Sequence, residues 1–257
     1  MSTPKIDCME RGYVSRGQMK EHRRIYPDQW ERYDFACRWI KRGDRVVDLA
    51  CGSGFGTYLL SKATAKRALG LDISSQALDW ARVEFGDTAD FEKFDDNVLH
   101  RMAEKFDVAV SFETLEHMDE QAGKAFISNL RCLLRPGGML ILSTPLVESD
   151  SRFKPTNPFH VREYTGDELG VAISADFRVE ARFCQVSRLA RLRGVLGRGL
   201  KMSVMGGQDG RVETTRPEGI KAKAAAWLRQ RPFWTAGIFV RRKTDFAGVQ
   251  LVLSVRQ

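Results

Sequence analysis

Long apolar runs are missing from this 257-residue chain. No uninterrupted stretch approaches the ~18 residues needed to cross a bilayer, and the opening MSTPKIDCMERG lacks the apolar core of a secretory leader. A cytoplasmic protein is the expectation. Cysteine is sparse and poorly placed for cross-links: Cys8, Cys37, Cys51, Cys132 and Cys184 are odd in number, scattered, and form no CxxC pair. Neither a disulfide framework nor a zinc site is suggested, no metal is expected, and the thiols read as reduced and mostly packed. A GK[ST] triplet is absent, which removes the P-loop from consideration. No internal repeat or low-complexity tract is visible. Only four histidines exist, His22, His100, His117 and His160, so few side chains titrate near neutral pH.

What is present is the balance of a soluble globular chain, 43% apolar and 29% charged, long enough to bury a core as one large α/β domain or two small ones. The net charge of +8 is local. Between Arg188 and Arg231, eleven lysines and arginines face three acids, so this segment carries the whole excess. It is glycine-rich, weakly periodic until KAKAAAWL, and reads as a lid or insertion.

Short apolar runs rich in Val, Ile and Leu recur at Val46 to Ala50, Ala68 to Ile73, Phe106 to Phe112 and Met139 to Thr144, as expected of strands covered on both faces. Helical patterns lie between them. TYLLSKATA follows the first run; SSQALDWARVEF has Ser74 or Ser75 as a cap; DEQAGKAFISNLRCLLRPGG opens at Asp119 and stops at Pro136-Gly137-Gly138. FRVEARFCQVS and FWTAGIFVRRK read as two further strands. Strands alternating with helices imply a parallel sheet wound on both sides.

Ligands of such sheets sit beyond the carboxyl ends of the strands, where strand order reverses. At the end of the first run stands DLACGSGFG, where glycines let the chain turn and a ligand approach bare backbone. At the end of the second is Asp72, about 24 residues past Asp48, near the ~20 that separates a glycine loop from a ribose-binding acid. A dinucleotide fits this pair poorly. Thr57 stands where GxGxxG wants its third glycine, and the charge of Asp48 is unhelpful beside a pyrophosphate. A nucleoside with a positive centre fits better, and S-adenosylmethionine is such a nucleoside.

The ordered motifs Glu10-Arg11, RYDFA from Arg32 to Ala36, VVDLACGSGFG, LGLDIS, FDVAVSFETLEHM, LLRPGGMLILSTP and NPFHVREYTGDEL, followed by the strand ending in Gln185, span roughly residues 10 to 187. Together they resemble class I S-adenosylmethionine-dependent methyltransferases, in particular bacterial enzymes of surface-glycan clusters and, more distantly, ubiquinone-pathway O-methyltransferases. The resemblance implies that Asp48, Ala50, Gly52 and Gly54 surround the methionine part of the cofactor. It implies that Asp72 and Ile73 hold ribose and pack on adenine. Asp95 or Asp96 would lie near the adenine amino group, Ser111 to Glu113 would line the sulfonium pocket, and Arg32 and Tyr33 would sit near the methionine carboxylate. Two departures stand out: ADFEKFDD is short and acidic, and Leu146 replaces the usual asparagine after STP. The fold expected is a Rossmann-like, doubly wound, mostly parallel seven-stranded sheet with its last strands antiparallel and a basic insertion before the final strand. It is read as a single domain over 1–257, with an N-terminal helical cover at 1–40, the core at 41–187, the lid at 188–231 and C-terminal strands at 232–257.

Methyl transfer from a sulfonium is an in-line displacement, so the protein's task is to align the acceptor and, for a hydroxyl acceptor, remove its proton. His117, beside Glu113 and Glu116, and His160, in KPTNPFHVREY, are the candidate bases. Each has a plainer reading: His117 as packing at a strand-to-helix junction with Glu116 serving the helix after Asp119, His160 as part of a rigid structural loop in which it hydrogen-bonds backbone, with Arg162 and Glu163 as loop-stabilising partners. Arg32 likewise reads as a solvated helix charge. The acceptor expected is a sugar, glycan or related polar metabolite, anionic or membrane-associated given the basic segment. Rival acceptors are a quinone or phenolic precursor and a sugar amine. A noncatalytic cofactor-binding scaffold and an NAD-linked dehydrogenase are the readings from other classes. No nucleic-acid motif accompanies the charges, and nucleic acid is not expected.

Overall fold

The computed structural model describes residues 12–147 and 157–185 together with the strand segments 234–235 and 248–256. The proposed lid at 188–231 lies outside the described residues. Five short strands form the parallel half of the sheet: β1 (Val46–Leu49), β2 (Leu69–Asp72), β3 (Asp90–Lys93), β4 (Phe106–Phe112) and β5 (Leu134–Leu146). Their order is β3-β2-β1-β4-β5, so the chain winds one way from β1 and then returns to its other side with β4. The strand order therefore reverses between β1 and β4.

Side chains alternate across this sheet as the period of two demands. Val46, Val108, Val110 and Ile141 pack on one face under α2 (Pro27–Trp39), α3 (Phe55–Thr64) and α4 (Ser75–Phe85), with Trp30, Phe35, Leu60, Leu78 and Phe85 filling the layer. Val47, Leu49, Ala109, Leu140 and Leu142 face the other way, under α5 (Asp96–Met102), α6 (Glu120–Leu133) and α7 (Gly166–Ser174). The first helix, α1 (Met19–Ile25), precedes α2 and has no buried residue of its own. Burial on both faces explains why the strands read as continuous apolar runs rather than alternating ones.

Local signals set most helix ends. The side chains of Ser74, Asp119 and Thr165 accept hydrogen bonds from Ala77, Ala122 and Glu168 backbone N–H groups, caps worth about 1 kcal/mol each. The end of α6 falls earlier than the Pro136-Gly137-Gly138 stop suggested. Pro136 disfavours the helical region for Arg135, so α6 closes at Leu133 and β5 starts at Leu134, running through the proline and a left-handed Gly137.

The sheet is extended by antiparallel strands, giving eight among the described residues rather than the expected seven. β6 (Phe177–Gln185) matches FRVEARFCQVS, and within FWTAGIFVRRK the described residues form β7 (Trp234–Thr235), which pairs with β6. The strand that enters between β5 and β6 is β8 (Gly248–Arg256). Its sequence GVQLVLSVR places Val249, Leu251, Leu253 and Val255 at every second position, the period of a strand. Among the described residues, no helix is long and apolar enough to cross a membrane.

Candidate functional site

Two residues with positive φ flank the point of strand reversal. Ala50 (φ 66) follows β1 and Glu113 (φ 51) follows β4. Neither is glycine, so both hold a sparsely populated backbone conformation, and such strain concentrates where a site is being shaped. The loop after Ala50 is bound to β2 by backbone: Ala50 and Cys51 N–H both donate to the Leu71 carbonyl. Asp72 completes the tie. Its Oδ2 accepts from Gly52 N at 2.9 Å and its Oδ1 from Ser74 N at 2.9 Å, so one buried carboxylate clamps the glycine loop to the start of α4.

The glycines divide by role. Gly52 (φ 55) would carry a Cβ into space with no heavy atom within 4 Å among the described residues, which is the open backbone a ligand can approach. Gly56 is different: a Cβ there would fall 1.9 Å from the ring of Tyr33, so its bareness admits an aromatic side chain rather than a ligand. Gly54, in the left-handed region at the N-cap of α3, packs toward Ala81 and Phe91. Beside the buried Asp72, Ile73 is 69% exposed, an apolar side chain left uncovered at the carboxyl end of β2.

Asp48 lies deeper than its place in the motif suggests. It is fully buried, and its Oδ2 accepts from Thr57 Oγ1 at 2.8 Å and Tyr33 OH at 3.3 Å. Burial pushes this carboxyl up to about 7, against the lowering effect of both hydroxyls, with the charge of Asp72 raising it further. Ser111 is buried at the end of β4, its hydroxyl 3.3 Å from that of Thr114. At the end of β3, Asp95 and Asp96 are exposed, and Asp95 Oδ1 caps α5 by accepting from Val98 N at 2.9 Å.

On the far side of Glu113 a cavity of about 460 Å³ opens between the α1–α2 junction and the ends of β4 and β5. Arg32, Glu113, Glu116, His117 and His160 line it, with Ile25 and Tyr26 as its apolar wall. Arg32 is almost fully buried and pairs with Glu113 at 3.3 Å, so it belongs to this pocket and is not a solvated helix charge. Ser143 Oγ donates to Glu113 at 2.8 Å, and Thr144 Oγ1 donates to Glu116 at 2.9 Å. Glu116 is pushed up to about 8 by burial and by the neighbouring charge of Glu113.

The two histidines expected to act meet in this pocket, 5.3 Å between ring centroids. His117 Nδ1 lies 3.0 Å from the Phe159 carbonyl, which can only accept, so Nδ1 carries the hydrogen and the neutral ring presents its lone pair at Nε2. His160 Nδ1 lies 2.7 Å from Glu163 Oε1 and is oriented in the same sense. The Glu116 carbonyl anchors the intervening loop by accepting from Val161 and Arg162 N–H. Glu163 is therefore a partner of His160, whose ring nitrogen meets this carboxylate and not backbone.

The packing of Tyr33, a residue expected near the methionine carboxylate, over Gly56 is not announced by the sequence, and neither are Ser143 and Thr144 behind the two glutamates. The one available signal for the latter is polarity at the end of the apolar run of β5, whose Ser143 is in register with Phe112 of β4.

A family model described as a methyltransferase domain matches residues 19–191. A probable S-adenosylmethionine-dependent methyltransferase of Mycolicibacterium smegmatis is 34% identical over 148 residues, 54% of this chain and 53% of that protein. A ubiquinone biosynthesis O-methyltransferase of Actinobacillus pleuropneumoniae is 36% identical over 110 residues, 40% of this chain and 46% of that protein. The chain thus spans about half the length of the curated relatives it matches. Among solved structures, the PH0226 protein from Pyrococcus horikoshii superposes with a TM-score of 0.56 at 14% identity, covering 98% of this chain and 97% of that one. At that identity the likeness shows the fold alone.

Proposed function

The chain belongs to the methyltransferase-domain family, and from that premise we propose that it transfers a methyl group from S-adenosylmethionine to a hydroxyl of a sugar, glycan or related polar metabolite. The observation that carries this reading is the pairing of two features on either side of Glu113: open backbone at Gly52 with Asp72 and the exposed Ile73, and a pocket holding both histidines.

The residues present fit the cofactor. Open backbone at Gly52, a buried carboxylate at Asp72 at the carboxyl end of β2, and an uncovered apolar side chain at Ile73 suit a ribose with a flat base beside it. Ala50, Gly54, Ser111 and Glu113 would border the methionine part. Asp95 and Asp96 stand at the base end, with Asp95 already committed to capping α5. When bound, S-adenosylmethionine supplies an electrophilic methyl on a sulfonium, so the chain needs no covalent nucleophile.

The chain's own work is positioning and proton removal. Arg32 fixes the Glu113 carboxylate, and Ser143 fixes it as well, so this part of the pocket lining is held by two partners. An acceptor hydroxyl in the pocket meets the Nε2 lone pairs of His117 and His160, and its proton passes to one of them as oxygen becomes nucleophilic. Such base catalysis contributes typically ~10² to 10⁴ in rate. The net charge of segment 188–231 supports an anionic acceptor, and KM would then rise with ionic strength.

A second reading, a quinone or phenolic acceptor, draws on the ubiquinone O-methyltransferase relative and on Ile25 and Tyr26, 53% and 51% exposed at the pocket wall. A panel of sugar and phenolic acceptors with methyl-labelled cofactor tests both. Label in sugars supports the first reading, label confined to phenols the second, and label in neither with intact cofactor binding overturns both.

A further inference from the structure

We infer that Glu116, His117 and His160 form a binding site for one divalent transition-metal ion within the acceptor pocket. The inference rests on the acceptor-pocket reading above and names a component of that pocket.

Geometry is the first support. Each of the three residues offers one ligand atom, and these atoms all lie within 4.8 Å of one another. Ligands held at ~2.1 Å around a tetrahedral ion sit about 3.4 Å apart, so closing on a cation asks for side-chain shifts of roughly an ångström.

The outer contacts are the second, independent support. His117 Nδ1 is engaged by the Phe159 carbonyl and His160 Nδ1 by the Glu163 carboxylate, at 3.0 and 2.7 Å. A carbonyl and a carboxylate are the partners that metal-binding imidazoles use to fix their tautomer and aim the remaining nitrogen. Thr144 Oγ1 grips Glu116 Oε2 at 2.9 Å, leaving the other oxygen to ligate. A histidine serving only to pack needs no such orientation, and here two rings from distant segments share it.

The donor set gives the metal class. Two imidazoles and one carboxylate, without a thiolate, suit Mn²⁺, Fe²⁺, Co²⁺, Ni²⁺ or Zn²⁺ better than the oxygen-seeking Mg²⁺ or Ca²⁺. Three protein ligands leave positions open, and the pocket of about 460 Å³ has room for an acceptor oxygen to take one. A hydroxyl on such an ion would ionise more readily, its O–H bond breaking with the electron pair kept on oxygen and the proton passing to water, and the two imidazoles would then act as ligands in place of the base role given them above.

Cobalt titration of the EDTA-treated full chain tests the site, with S-adenosylhomocysteine titrated into the same samples. The expected result is one equivalent of Co²⁺ bound with visible d–d bands and no sulfur-to-cobalt charge-transfer band. His117→Ala and His160→Ala should each weaken binding by at least ~10-fold, and Glu163→Gln, which only orients His160, by ~10- to 100-fold. Affinity for S-adenosylhomocysteine should be unchanged in Glu163→Gln, which also reports that this milder variant is folded. Absence of saturable cobalt binding, a thiolate band, or unaltered affinity in Glu163→Gln and His160→Ala would overturn the site. Nucleoside binding without cobalt binding removes the metal and leaves the methyl-transfer reading; cobalt binding without nucleoside binding supports the metal and removes that reading.

Discussion

His117 and His160 meet edge to face, ring planes at 80°, although one follows β4 and the other lies in the loop beyond β5. Each is anchored through Nδ1 by a different partner. Replacing either by Asn should lower kcat by ~10² to 10⁴ while leaving the affinity for S-adenosylhomocysteine unchanged. Initial rates with a labelled methyl donor, beside calorimetry, check this; unchanged turnover in both variants would remove them from the mechanism.

Gly56 and Tyr33 make a second prediction, about stability. A methyl at Gly56 has nowhere to go because the Tyr33 ring occupies its place. Gly56→Ala should destabilise by ~1 to 3 kcal/mol through overpacking, read as a lower midpoint in urea. Tyr33→Leu in the same chain should recover part of the loss, and no recovery would show that the backbone, not the ring, is the constraint.

Much of the parallel core was legible because its signals are local. Strand positions follow from apolar runs, Ser74 and Asp119 announce helix starts, and Asp72 stands at a fixed distance past the glycine loop. What escaped depends on residues that meet only after the sheet is assembled. Ser143 and Thr144 reach Glu113 and Glu116 because β5 lies beside β4, and their polarity at the end of an apolar run is the one local hint of it. The motif places Asp48 at the strand end but does not announce the hydroxyls from α2 and α3 that hold it.

Asp48 sets a pH dependence. Its carboxyl sits at about 7 in the folded chain against 3.8 as its ordinary value, so between those values the folded chain keeps a proton that the unfolded chain releases. Stability from this group is full below about 4 and is lost as pH rises through about 7. Its neighbours Tyr33 and Cys51 are themselves pushed upward by burial, so neither ionises in that window. Asp48→Asn retains an oxygen for Thr57 and Tyr33 and removes the effect. In the absence of cofactor, the melting temperature of the variant relative to the parent should therefore rise between about pH 5 and pH 8. A flat difference would contradict the buried-acid account.

Arg32 and Glu113 pair at the lining of the pocket. Arg32→Met leaves Glu113 and Glu116 facing each other without the cation and should cost ~1 to 3 kcal/mol, less than a fully buried pair because Glu113 is partly exposed. Adding Glu113→Gln should restore part of it. A double-mutant cycle by urea unfolding gives the coupling, and a value near zero would show that the pair is incidental.

The most direct measurement of the whole account is a calorimetric titration of S-adenosylhomocysteine into the parent chain and Asp72→Ala. The clamp of Gly52 and Ser74 by Asp72 predicts single-site binding in the parent, weakened by ~10- to 100-fold in the variant, where a charged hydrogen-bond acceptor is lost. No heat of binding in the parent, or equal affinity in both, would contradict it.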